Sequence, residues 1–320
     1  MNVLSVVLPC LNEEENIPNV VSTLEKILSE NSIPFELVFV DDGSTDKTWS
    51  VLSGLSSEKP YITSLRFSRN FGKESAIFAG LKCARGDAVA VMDCDLQHPP
   101  ETLVEMYRLW KDEGFEVVDA RKASRGREGV FYRMFAKSFY KLMKSSSNLD
   151  LDGASDFKLM DKRVSETICA MPERVTFFRA LSTWVGFRTA TVYFDVAPRA
   201  GGQTKWSFKR LFSYAVSSIT SFSSIPMQFV TLMGSAFFIF AVIMAVQTLY
   251  NLFSGRSVEG FTTVILLLLI VGSVIMFSLG IIGYYLSKIY EEIKFRPRYI
   301  ISEIKQSDTA NESDIPEAKH

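Results

Sequence analysis

Two aspartates one residue apart, Asp93 and Asp95, close the apolar run Val89-Ala90-Val91-Met92 in the stretch VAVMDCDLQHPP. An apolar run in a chain of alternating strands and helices reads as a buried strand, so its C-terminal end delivers both carboxylates to one sheet edge. Ligand crevices of open α/β sheets lie at that edge. Two carboxylates so placed suit a hard cation, Mg²⁺ or Mn²⁺, shared with phosphate oxygens. The bland alternative is an acidic helix cap, with Pro99 in the first turn of the next helix. The motif alone does not choose between them.

A second acidic strand end supplies the missing weight. Phe35 to Val40 reads as a strand and runs into Asp41-Asp42-Gly43-Ser44-Thr45-Asp46. Acids at two strand ends of one sheet make a nucleotide site the natural reading, with Asp42 for base or ribose and Asp93 and Asp95 for a metal on the diphosphate. The G-x-G-x-x-G turn of a dinucleotide fold is absent after the first strand, where Asn12 and three glutamates stand, and no P-loop lysine motif occurs. Redox cofactors and ATP-type phosphoryl transfer are therefore disfavoured.

The elements that must hold these groups follow in order. Val3–Leu8 reads as a strand, Ile17–Leu28 as a helix, and a helix runs from the Ser44-Thr45 turn to about Leu55. Ile62–Phe67 is a third strand, Lys73–Cys83 a helix, and a helix after Pro100 ends near Asp112. This alternation predicts an α/β fold with a doubly wound, mostly parallel sheet. Glu116–Ala120 reads as a strand ending at Arg121, which stands where it could meet phosphate. Basic residues continue through Arg133 to Lys144. GASDFKLMDKR reads as a polar turn holding Asp156 before a short apolar run, and Ala190–Val196 as a last strand before a basic loop with Arg199 and Lys205.

The last third differs in kind. No charged residue occurs from Leu211 to Gly255, or from Gly260 to Ser287. A bilayer core takes ~20 apolar helical residues, so each block can hold a span, placed at Gln228–Leu252 and Phe261–Leu286. Residues 207–227, with Lys209, Arg210 and three phenylalanines, read as an interfacial amphipathic helix. Basic residues flank both outer ends of the hairpin, which by the positive-inside rule puts both flanks in the cytoplasm. The organisation expected is a catalytic domain at 1–206, the interfacial helix at 207–227, two transmembrane helices within 228–287, and a cytoplasmic tail at 288–320 with a disordered end. The net charge of −1 gives no reason to expect nucleic acid, and neither apolar block carries an ionisable group of the kind a proton-coupled transporter uses. Four scattered cysteines and two histidines do not form a zinc or disulfide pattern. The start lacks the basic region of a secretory signal.

At this point the ordered set PCLNEEEN, VDDGSTD, SRNFGKESAIFAGLKCARGD, DCDLQHPP, SDFKLMDK, MPER, WVGF, PRAGGQTKW and YEEIKFRPRYI resembles bacterial polyprenyl-phosphate glycosyltransferases. These belong to glycosyltransferase family 2 with the GT-A fold, and dolichyl-phosphate mannose synthases are relatives. The resemblance runs from about Val3 to Ser302. It implies transfer of one sugar, glucose foremost, from a UDP-sugar to a polyprenyl (undecaprenyl) phosphate with inversion, at the cytoplasmic face of a bacterial inner membrane. It implies that the donor site comprises Pro9, Leu11, Asn12, Glu13, Asp42, Lys73, Asp93, Cys94 and Gln97, with Mg²⁺ or Mn²⁺ on Asp93 and Asp95. Arg121, Arg199 and Lys205 would bind the acceptor phosphate. Asp156 would sit at the acceptor as a candidate base, with Asp95 and Arg121 beside it in the catalytic set. The partners implied are the donor, the lipid phosphate, the bilayer and further copies of the chain. Two departures stand out: Ser155 replaces a frequent glycine before Asp156, and Gln203-Thr204-Lys205-Trp206 stands where processive relatives carry Q-x-x-R-W. The alternatives are transfer from a GDP-sugar, as in dolichyl-phosphate mannose synthases, or a nonenzymatic lipid-phosphate scaffold.

Overall fold

The computed structural model describes residues 2–123, 154–173, 177–195, 225–254 and 260–306. They form two compact units, one built from 2–123, 154–173, 177–195 and 296–306 and the other from 225–254 and 260–295.

The first unit is an eight-stranded sheet with helices on its faces. Its elements are β1 (Leu4–Cys10), α1 (Ile17–Glu30), β2 (Phe35–Asp41), α2 (Thr48–Glu58), β3 (Ile62–Phe67), α3 (Lys73–Cys83), β4 (Ala88–Val91), α4 (Glu101–Glu113), β5 (Val117–Lys122), β6 (Ala154–Asp161), α5 (Lys162–Ala170), α6 (Phe178–Trp184), β7 (Thr189–Phe194) and β8 (Ile301–Lys305). The strand order is β7-β5-β6-β4-β1-β2-β3-β8. β1 pairs parallel with β2 and β4, β2 with β3, and β5 with β7; β6 runs antiparallel between β4 and β5. The expected mostly parallel α/β sheet is present.

The central strands are apolar on both faces because helices cover both: Leu4, Val6, Val7 and Leu8 of β1 are all fully buried. α1 buries Ile17, Val20, Val21, Leu24 and Leu28, a one-sided stripe at helical spacing. α3 lies so close over β1 that a Cβ built on Gly80 would fall 2.2 Å from the Val7 side chain. Only glycine fits there, and that close seat fixes the N-terminus of α3 over the sheet edge.

Two expectations are corrected. Asp156 does not lie in a polar turn but inside β6. The turn-like composition is misleading because both faces of this strand are buried: Phe157 and Leu159 enter the core, while Asp156 and Lys158 are buried against opposite charges. The region expected as a tail also contains β8, which pairs antiparallel with β3 at the sheet edge. It is held by more than its ladder: Glu303 accepts hydrogen bonds from Arg66 (2.9 Å) and from the Trp49 indole (3.2 Å).

The second unit contains α7 (Ile225–Phe253) and α8 (Phe261–Ile293). Among the described residues, one stretch, Ile270–Ile293, is long and apolar enough to cross a membrane, and a shorter apolar stretch covers Phe229–Met244. Large apolar side chains such as Leu232, Phe238, Val246, Leu268 and Met276 stand exposed along both helices. The expected interfacial helix at 207–227 lies almost wholly outside the described residues.

Candidate active site

The C-terminal ends of the parallel strands feed four loops that meet at one edge, and side chains of one loop fill the backbone valences of another. Asn12, at a left-handed φ of 56°, gives its amide N–H to Ser44 Oγ (2.9 Å) and accepts from the Thr45 N–H through Oδ1 (2.9 Å). Glu13 N–H donates to Thr48 Oγ1 (2.9 Å), and Lys47 N–H donates to the Glu14 carboxylate (2.8 Å). These reciprocal bonds hold the β1–α1 and β2–α2 loops as one piece. They also explain why Asn12, rather than a glycine-rich turn, follows β1: asparagine tolerates the left-handed conformation and caps locally.

Asp42 is buried and accepts from the backbone N–H groups of Phe71 (2.7 Å) and Gly72 (2.9 Å). Burial pushes its carboxyl up from the usual range despite those two donors. Its visible task is to shape the loop that delivers Lys73. Gly43 beside it has φ 71°, and a Cβ there would come within 2.6 Å of the Arg69 carbonyl carbon, so the same loop packs directly onto the Asp42 turn.

Lys73, the first residue of α3, is the hub of the edge. Its Nζ lies 2.6 Å from Asp93 Oδ1 and 2.8 Å from Asp156 Oδ2. Asp156 is also gripped from α6, where Arg179 Nε meets Oδ1 at 2.6 Å and a terminal guanidinium nitrogen meets Oδ2 at 3.0 Å, a bidentate fork. Burial alone would raise the Asp156 carboxyl, but Lys73 and Arg179 outweigh it and hold the group well below the usual carboxylate range. The sequence reading placed Lys73 and Asp156 at the site and missed Arg179. Glu74 was missed too. Its carboxylate accepts the Phe178 N–H (2.9 Å) and thereby ties α3 to the start of α6. Burial and the neighbouring Asp156 charge push its carboxyl up to about 7.

The Asp93–Gln97 loop is ordered from within. Asp95 Oδ1 accepts the Gln97 N–H (3.1 Å), and Leu96 takes a left-handed φ of 53°. His98, counted in the sequence only as one of two histidines too few for a zinc site, is buried, stacks on Phe157 at 4.8 Å, and accepts the Asp93 N–H at Nδ1 (3.3 Å). Burial lowers its basicity, which suits the neutral acceptor role. Cys94 is buried in the core beside Cys10, so its thiol is not part of the site surface, whereas Leu11 is exposed.

No group of three or more ligating side chains gathers into a metal cage among the described residues. The donor chemistry nevertheless fits a hard divalent cation. Asp93 and Asp95 offer carboxylate oxygens at a partly open edge, and such ions take few protein ligands when substrate phosphates and water complete the shell. Glu13 stands in the same acidic field: burial first, then the charges of Asp95 and Asp93, raise its carboxyl.

Arg121 lies in β5 and its Nε is bonded to Asp119 (2.9 Å), whose other oxygen takes the Nζ of the fully buried Lys158 (2.7 Å). Burial lowers the basicity of Lys158, while Asp119 opposes that shift. Strand periodicity held the missed signal here: Asp119 and Arg121, and likewise Asp156 and Lys158, are spaced by two within otherwise apolar strands and so share a face. Arg199 and Lys205 lie outside the described residues.

Comparison with known proteins agrees with this architecture. The family model described as glycosyl transferase family 2 matches residues 5–169, just over half of the chain. A prophage bactoprenol glucosyl transferase homolog of Escherichia coli K12 is 37% identical over 308 residues, covering 95% of this chain and 99% of that protein. An uncharacterized glycosyltransferase of Synechocystis is 38% identical over 94% of this chain and 95% of its own length. Among solved structures, mannosyl-3-phosphoglycerate synthase from Rubrobacter xylanophilus matches with a TM-score of 0.50 at 16% identity, over 68% of this chain and 72% of that one, a likeness of fold. The sheet with its acidic edge, the family match and the near end-to-end relatives agree: this chain is a member of glycosyl transferase family 2.

Proposed function

We propose that the protein transfers one glucosyl unit from UDP-glucose to a polyprenyl monophosphate at the cytoplasmic membrane face, inverting the anomeric centre. The observation that carries this reading is the cationic pair, Lys73 and Arg179, converging on Asp156 beside Asp93. The near full-length similarity to relatives named bactoprenol glucosyl transferases supports the choice of sugar and acceptor class.

The chemistry fits the residues. A phosphate monoester carries about −1.5 to −2 charge at neutral pH, so the acceptor is a ready nucleophile. Its oxygen attacks the anomeric carbon, the bond from that carbon to the diphosphate breaks, and UDP departs with the electron pair. No proton need be removed. What the reaction needs is a set of cations that brings two anionic substrates together, and Arg121 with Arg199 and Lys205 are the residues we assign to the acceptor phosphate. Asp156, held ionised, keeps Lys73 and Arg179 in place and balances their charge. A divalent cation on Asp93 and Asp95 would supply Lewis-acid stabilisation of charge on the leaving diphosphate. We assign Pro9, Leu11, Asn12, Glu13, Asp42 and Gln97 to the walls and supports of the donor site.

We further read residues 1–206 as the catalytic part and 228–287 as a membrane hairpin, with 207–227 along the interface. Support comes from the exposed apolar faces of α7 and α8, from Lys288 in the last turns of α8, and from Lys294, Arg296 and Arg298 that follow it.

The test is to incubate membranes containing the protein with radiolabelled UDP-glucose, UDP-galactose, UDP-N-acetylglucosamine or GDP-mannose, and then to extract lipids. The expected result is label in the lipid phase from UDP-glucose alone, abolished by a chelator and restored by Mg²⁺ or Mn²⁺. Label from GDP-mannose alone, or from none of the four, would overturn the reading.

A further inference from the structure

The family match ends at residue 169, yet the segment that follows α8 is built into the elements that carry the cations. Arg298 donates through its guanidinium to the backbone carbonyls of Met171 and Glu173, on the stretch leading to α6. The same guanidinium lies 4.7 Å from the ring centre of Phe78 on α3, and the Arg298 carbonyl accepts from Ser75 Oγ (3.4 Å) in the first turn of α3. Next to it the Tyr299 ring stacks on Phe67 at 5.1 Å, and the Ile300 carbonyl accepts the Ser68 N–H (3.0 Å). Arg298 thus joins α3, which carries Lys73 two positions before Ser75, to the stretch between α5 and α6, where Glu173 lies six positions before Arg179.

We propose that Arg298 is a positioning residue for the Asp156 cluster, holding the N-termini of α3 and α6 at the separation that lets Lys73 and Arg179 grip one carboxylate together. Such a device makes turnover depend on a segment reached only after the membrane unit, although none of its atoms need touch substrate. Two carbonyl acceptors and an aromatic face suit a planar guanidinium with several donors, and an ammonium group serves them poorly. The turnover arm of the test rests on the glycosyl-transfer reading; a hydrogen-exchange arm does not.

The test compares full-length wild type, Arg298→Ala, Arg298→Lys and, as a control, Glu303→Gln, which loosens β8 at its far contacts with Trp49 and Arg66. For Arg298→Ala the expected result is a fall in kcat of roughly 10- to 50-fold with UDP affinity within about twofold of wild type. Amides of 71–76 and 177–181 should exchange at least about fivefold faster, while those of β1 and β2 stay protected. Arg298→Lys should fall between, and it carries the same criteria if the alanine variant does not fold. Combined with Arg179→Lys, Arg298→Ala should cost little beyond the Arg179 change alone, because both act on one cluster. Unchanged exchange at 71–76 and 177–181, multiplying kinetic effects in the double variant, or an equal kcat loss in Glu303→Gln would overturn the proposal. A wild type that transfers no sugar would instead overturn the functional reading, and the exchange arm would still decide this one.

Discussion

Replacing Asp156 by asparagine separates two accounts of the chemistry. If the carboxylate organises cations, as its contacts indicate, the substitution removes one negative charge but keeps an oxygen that can accept from Arg179 or Lys73. Removing one partner of a buried ion pair costs about 3–5 kcal/mol where the other charge is left isolated. Here Lys73 retains Asp93 and is 43% exposed, and Arg179 is 32% exposed. The stability cost should therefore be nearer ~2 kcal/mol, with solvent and Asp93 sharing the charge. A slackened cluster should lower kcat by about 10- to 100-fold, or roughly 1.4–2.7 kcal/mol of barrier.

The pH dependence decides the matter. The folded-state pKa of Asp156 is depressed, so the stability from its ion pairs is present above the unfolded value of 3.8 and is lost only as pH falls through the lower folded value. From pH 5 to 9 the residue does not titrate. Wild type and Asp156→Asn should then keep the same limbs in their kcat profiles, and their stability difference should narrow as pH rises from 5 to 8, because removing the Asp156 charge relieves one of the causes that raise Glu74. The assay is single-turnover transfer from labelled UDP-glucose across that range, beside denaturation melts in the same detergent. A loss above about 10⁴-fold together with disappearance of the acid limb would refute the reasoning and make Asp156 a general base.

Glu74 gives the opposite sign. Its carboxyl is raised from 4.5 to about 7, so the native state holds a proton that the unfolded chain has released, and stability from this group falls as pH rises from about 4.5 through 7. Glu74→Gln keeps an acceptor for the Phe178 N–H and removes the titration. Relative to wild type it should gain on the order of 2 kcal/mol between pH 5 and pH 8, read from denaturation midpoints; parallel curves would show that Glu74 does not titrate there. Asp95→Asn keeps an oxygen for the Gln97 N–H, so without metal its melting should stay within about 0.5 kcal/mol of wild type. Its turnover with Mg²⁺ should fall at least ~100-fold, and unimpaired turnover would remove Asp95 from the hard-cation site.

What could be read from the sequence was the part with local periodicity. Continuous apolar runs gave the parallel strands, and acids at two strand ends marked the edge where Asp42, Asp93 and Asp95 lie. β6 was not legible, because a strand between two others can bury charges once partners arrive from elsewhere, and Asp156 and Lys158 broke its apolar pattern. Arg179 was invisible for the same reason: it is 23 residues from Asp156, on a seven-residue helix with no capping signal. β8 reads as an exposed polar pentapeptide, ISEIK, and nothing local assigns it to β3 more than 230 residues earlier. Pairings between distant segments have no local signature, and here they assemble the cation cluster.

The β3–β8 pairing also constrains the membrane reading. β3 precedes α7 and α8 while β8 follows them, and both strands belong to one sheet. A sheet lies on one side of a bilayer, so the chain between must cross an even number of times. A single crossing by Ile270–Ile293, the stretch with sufficient length, would leave β8 on the wrong side of β3. If α8 crosses, a second crossing lies between β3 and β8, and we propose α7 for it although its apolar stretch is shorter; helices of 29 and 33 residues are each long enough, at about 1.5 Å per residue, for a ~30 Å core. In intact cells carrying Cys83→Ser and Cys169→Ser, cysteines introduced as Ser257→Cys and Lys305→Cys should then differ. A membrane-impermeant maleimide should label the first from outside and the second only after permeabilisation. Protection of both in intact cells would mean that neither helix crosses, and the membrane-hairpin reading would fall.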